Sequence, residues 1–133
     1  MTSIGQNDYL NDIRPDNNSL PLPDSVSCID WAPANLGNIF ACTCWDATLQ
    51  IYELVNNGFS FSLGQKINIK AKSPLTKCAW SQDGQSIYLG DITGLIQSFN
   101  VQTQQFTDIG KQNAAISALH AIPGQNIFIS AAF

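Results

Sequence analysis

The chain has 133 residues, of which 44% are hydrophobic and only 12% charged, and its net charge is −4. The charged share is about half the usual one, and 12 Asn and 11 Gln, spread along the chain, fill much of the gap. That balance excludes an extended phosphate-binding surface built from these residues alone. No apolar run approaches the roughly 18 residues of a membrane span.

Residues 1–24 read as a polar, mostly irregular leader that ends in Leu20-Pro-Leu-Pro23, where proline removes backbone donors and favours extended structure. Met1 to Leu10 lacks the apolar core of a signal peptide, so cytosol or nucleus is the expected compartment and the four cysteines are expected as thiols. Ser25 to Trp31 alternates apolar and polar residues at the period of a half-buried strand. Pro33 to Gly37 is expected to turn, and Asn38 to Cys44, nearly all apolar, to form a strand packed on both faces. A turn at Trp45 to Thr48 leads into a third strand around Leu49, Ile51 and Leu54. Asn57-Gly58 then turns the chain into an outer strand near 59–69.

The next stretch repeats this grammar. Leu75 to Ser81, Ser86 to Gly90, Leu95 to Val101 and Gln104 to Ile109 read as four strands, punctuated by Asp83-Gly84 and by Asp91-Ile-Thr-Gly94. Ala115 to Ala121 and Asn126 to Phe133 begin a third copy around the Pro123-Gly124 turn. Val26-Ser-Cys-Ile-Asp-Trp31, Leu75-Thr-Lys-Cys-Ala-Trp80 and Ile116-Ser-Ala-Leu-His-Ala121 align, at offsets of about 49 and 41 residues that suit a propeller blade with loop variation. The expected fold is therefore all-β: about two and a half blades, over 25–133, of a β-propeller ring of about seven. A ring of that size needs about 300 residues, so the sequence is expected to be a piece of a longer propeller that stops inside the third blade, the alternative being a half-propeller completed by another chain.

The copies resemble WD repeats. The Trp-Asp pair that closes the third strand of such a repeat is degraded here to Tyr52-Glu53 and Phe99-Asn100. The turn Asp appears as Asp46 and Asp91, and the positions of the Gly-His histidine read Ala71 and Gln112. Leu22-Pro-Asp-Ser-Val-Ser-Cys-Ile-Asp-Trp-Ala-Pro33, with Asn35-Leu-Gly-Asn38 and Cys44-Trp45, is similar to the opening of the nuclear-pore mRNA-export WD-repeat proteins of the Rae/Gle type. Cys78-Ala-Trp-Ser-Gln-Asp-Gly84 and Leu119-His120 extend the likeness to Phe133. The sister mitotic-checkpoint WD-repeat proteins share most of these motifs.

That resemblance implies a non-enzymatic docking platform at the nuclear pore, in the nucleus and also in the cytoplasm, which binds a nucleoporin hairpin motif on the top of the propeller. RNA is a further partner of the export branch. Trp45 matches a tryptophan lining the partner site, Phe133 its third-blade counterpart, and Asp46 stands in the adjoining turn. The alternative reading is a checkpoint or generic WD-repeat scaffold. Trp45 could also cap its own blade, as Trp31 and Trp80 are expected to do from within strands. Asp46 and Asp91 suit local turn hydrogen bonds, and Lys66, Lys70 and Lys72 make a thin basic cluster. A Cys42-x-Cys44 pair with no second pair at zinc spacing is a poor metal motif. With one histidine, no phosphate loop and no converging nucleophile and base, the sequence offers no catalytic set and no cofactor site.

Overall fold

In a computed structural model of the chain, residues 24–125 and 127–133 are described. The leader expected over 1–24 lies, apart from Asp24, outside the described residues. Three antiparallel sheets follow one another. Blade one is β1 (Val26–Trp31), β2 (Ile39–Cys44), β3 (Thr48–Asn56) and β4 (Phe61–Lys70), paired in that order. Blade two repeats it with β5 (Leu75–Trp80), β6 (Ser86–Asp91), β7 (Leu95–Asn100) and β8 (Gln105–Lys111). Blade three is the pair β9 (Ile116–Ala121) and β10 (Phe128–Ala132). The segment between β1 and β2 is a single 3-10 turn, Ala34–Leu36, ended by Gly37 at φ 85°.

Alternation along each strand gives a blade two faces. On blade one, Ala41, Leu49 and Ile51 point toward blade two. On blade two, Cys78, Trp80, Ile87, Leu89 and Phe99 point back, and together they form the larger core. The other face of blade two offers Ala79, Tyr88 and Ile96 to Ile116, Leu119 and Ala121 of blade three. The second seam is tight: a Cβ on Gly90 would lie 2.5 Å from Ile116 Cγ2. The equivalent residue of blade one is Thr43, because Thr43 pairs with Cys28 as Gly90 pairs with Lys77.

A bulge interrupts both complete inner strands at the same step, between Val26 and Cys28 and between Leu75 and Lys77. The unpaired residue at a bulge is free to aim its side chain out of the ladder. Ser27 thus donates its hydroxyl to the Leu75 carbonyl of the next blade at 2.7 Å, and Thr76 does the same to the Ile116 carbonyl at 2.6 Å. One repeat position therefore ties each blade to its successor.

Trp31 departs from expectation. It pairs with Phe40 as Trp80 pairs with Ile87, so the two tryptophans are equivalent. Yet Trp80 is 4% exposed and Trp31 is 55% exposed. Both are expected in the core, but only Trp80 is there, because blade one covers it; on the matching face of blade one Cys42, Gln50 and Tyr52 are buried while Ile29 and Trp31 of the inner strand meet water. Trp31 packs edge-on against Phe40 at 5.3 Å between ring centroids.

Candidate functional site

The residue that follows each second strand is held by one recurring bond. The amide of Trp45 donates to Ser25 O at 3.0 Å, that of Ile92 to Pro74 O at 3.1 Å, and that of Phe133 to Ala115 O at 3.0 Å. Each bond fastens the end of a second strand to the residue before the first strand of its own blade. The three side chains therefore occupy the same step of one propeller rim, one per blade. They are exposed by 45%, 42% and 88% in that order. Each blade thus carries one large, exposed apolar side chain at this repeated position of the rim.

Ile92 was not singled out from the sequence. Matching Asp46 to Asp91 shifted the register of the two turns and hid it. The turns superimpose instead on their backbone: Ala47 N donates to Cys44 O and Gly94 N to Asp91 O, with φ of 74° at Ala47 and 89° at Gly94. Counting residues from the last ladder pair of the second strand would have found Ile92 beside Trp45 and Phe133. Asp46 and Asp91 thus stand two steps apart in equivalent turns, although they do similar work. Asp46 Oδ1 accepts from Thr48 N at 3.0 Å and Thr48 Oγ1 at 2.6 Å. Asp91 Oδ1 accepts from Thr93 N, Thr93 Oγ1 and Leu95 N. Both carboxylates hold the turns that carry the rim residues. Gly94 is required as glycine, since a Cβ there would meet Gln112 O at 2.3 Å and Ala114 O at 2.6 Å.

The remaining polar candidates are spread apart. Lys66 pairs with Glu53 at 3.6 Å, with both side chains largely in water, so that contact adds little. Lys111 Nζ donates to Thr93 O at 2.6 Å beside the rim. His120 is exposed on β9 and borders a recess of about 230 Å³ where the inner strands converge, with Asp30, Cys78 and Trp80 among its other walls. Gln112, at one absent-histidine position, donates instead to Ser130 Oγ at 2.6 Å. Among the described residues no three His, Cys, Asp or Glu side chains are grouped to hold a metal ion, and no helix is long and apolar enough to cross a membrane.

No protein-family model matches the chain. One curated relative, Protein RAE1 of Arabidopsis thaliana, is 28% identical over 67 residues, which is 50% of this chain and 19% of that protein. The solved structure of U3-55K aligns with a TM-score of 0.68 at 20% identity, covering 82% of this chain and 33% of its own. The crystal structure of the RRP9 WD40 repeats aligns with a TM-score of 0.69, again at 20% identity over 82% and 33%. The chain thus spans about a third of the length of these structures and less of the curated relative. Together with the blade order and the inter-blade cores, they establish that the described residues fold as consecutive blades of a WD40-type β-propeller.

Proposed function

We propose that this chain supplies part of a non-enzymatic interaction platform at the nuclear pore, where an mRNA-export protein binds a nucleoporin hairpin motif along the rim formed by Trp45, Ile92 and Phe133. The observation that carries the reading is the threefold rim itself: an exposed apolar side chain at one repeat position, pinned in each blade by the same backbone bond. The partial identity to an Arabidopsis protein named RAE1 supports the choice of the Rae/Gle-type branch over a generic scaffold. Asp46 acts here as a positioning residue that orders the Trp45 turn through Thr48. The segment's net charge of −4 leaves RNA, as a further partner, to surfaces elsewhere in a complete protein.

Titration of a nucleoporin hairpin peptide against the complete protein tests this. Trp45→Ala is expected to cost about 2 kcal/mol of binding, roughly thirtyfold in affinity. Its melting temperature should stay near that of the parent, because the ring is half in water. Ile92→Ala and Phe133→Ala should each weaken binding less. Unchanged affinity in all three variants, with melting intact, would remove the rim from the partner site.

A further inference from the structure

The recess of about 230 Å³ lies where the last residues of β1, β5 and β9 converge. The rim of Trp45, Ile92 and Phe133 is fastened at the other end of those strands, to the residues that precede them. The walls of the recess include Asp30, Trp31 and Pro33 of blade one, Trp80 of blade two, and His120 and Pro123 of blade three. Its volume falls below the roughly 300–1,000 Å³ of a site for a whole drug-sized ligand, so one side chain is the occupant it fits. Asp30, Ala79 and His120 are equivalent, each standing one step before the end of its strand. The repeat itself therefore asks for no acid at this step, and only blade one of the three carries one.

Asp30 is held in place by two bonds from Trp80. Its Oδ2 accepts from Trp80 N at 2.9 Å, and its backbone carbonyl accepts from the indole Nε1 at 3.1 Å. One amide uses a single lone pair of the carboxylate, and among the described residues nothing donates to Oδ1. No lysine or arginine stands among the described walls, and the ion pair of Lys66 with Glu53 belongs to β3 and β4. The negative charge of this partly buried carboxylate is thus fixed in direction and uncompensated. Beside it the Trp31 indole, half in water, stands edge-on to Phe40.

We propose that the recess takes the guanidinium of an arginine side chain from a partner polypeptide. Asp30 Oδ1 accepts from its N–H groups, and the Trp31 indole lies against its plane. Charge decides the class of occupant, because a neutral side chain would leave Asp30 uncompensated. Arginine is preferred over lysine on three counts. Its guanidinium is more weakly hydrated than an ammonium and loses less on leaving water. Its planar fork of donors suits a carboxylate already fixed by Trp80. A flat cation also gains from contact with an indole face. The recess and the rim stand at opposite ends of the inner strands, so filling one leaves the other open.

The test is titration of the isotope-labelled protein with the blocked tripeptide acetyl-Ala-Arg-Ala-amide, following the indole N–H signals of its tryptophans. Those of Trp31 and Trp80 are expected to move and saturate, while that of Trp45 on the rim stays fixed. The citrulline tripeptide, similar in shape but neutral, should bind about tenfold more weakly, and the lysine tripeptide should also fall short of arginine. Asp30→Asn removes the charge yet keeps a side-chain oxygen for Trp80 N. It should lower the affinity for the arginine tripeptide about tenfold with melting near that of the parent. The comparison of arginine with citrulline uses the unmutated protein, so it reads the recess even where Asp30→Asn loosens the seam. Movement of the Trp45 signal alone, equal affinity for the arginine and citrulline tripeptides, tighter binding of lysine, or no movement at all would each overturn the proposal.

Discussion

Blades one and two present the same face in two conditions. On blade two, Cys78, Trp80, Ile87, Leu89 and Phe99 lie under blade one and are nearly inaccessible. On blade one Ile29 and Trp31, which match Cys78 and Trp80, are 59% and 55% exposed, whereas Cys42 and Tyr52, which match Leu89 and Phe99, are buried. Where blade two stacks Phe99 on Phe106 at 5.0 Å, blade one has Tyr52 and Gln65. The Tyr52 hydroxyl donates to Gln50 Oε1, and Gln65 Nε2 donates to that same oxygen at 3.1 Å. The matching Gln97 of blade two reaches Asp108 at 2.9 Å instead. A repeat position therefore sets where a side chain points, while the neighbouring blade decides whether the inner-strand residues Ile29 and Trp31, or Cys78 and Trp80, are buried.

The comparison is broken most directly through its tryptophans. Trp80→Ala should cost about 3–5 kcal/mol of stability, as for a fully buried aromatic, and it also removes the indole bond to Asp30 O. Trp31→Ala should cost about 1 kcal/mol or less, since half its surface already meets water. Thermal unfolding of both variants measures the gap. Equal losses would mean that the exposed face of blade one is covered in solution.

Gly90→Ala sharpens the comparison at the second seam. The added methyl must displace Ile116, and a loss of roughly 1–3 kcal/mol is expected from overpacking. An unchanged denaturation midpoint would show that blade three is loosely seated. The smallest effect is that of the inter-blade hydroxyl. Thr76→Val should cost about 1 kcal/mol by leaving the Ile116 carbonyl without its 2.6 Å donor.

Strand positions were legible because alternation and Gly-containing turns are local signals. β1 through β10 fall where the periodicity puts them, to within about two residues. Burial was less legible. Nothing in Val26 to Trp31 distinguishes it from Leu75 to Trp80, and the fate of Trp31 depends on a surface outside its own blade. Trp45 and Phe133 were readable as exposed aromatics after a strand, whereas Ile92 required the backbone register of the turn. The contact of the Cys28 Sγ with the Cys78 backbone carbonyl, at 3.7 Å, joins strands that share no ladder, so no spacing rule announces it.

Because Gly90 leaves a hollow that the Ile116 side chain fills, the order of the blades is written into the shapes of their seams. Thr43 stands where Gly90 would be if blade three were laid against blade one, and its side chain is already committed to Ser27 at 2.8 Å. Blade three consequently has one matching berth and a poor second choice. Stacking of blade three against blade one, in the same chain or in another copy, would meet Thr43 instead of that hollow, so misordered assembly is disfavoured by the missing Cβ of one glycine.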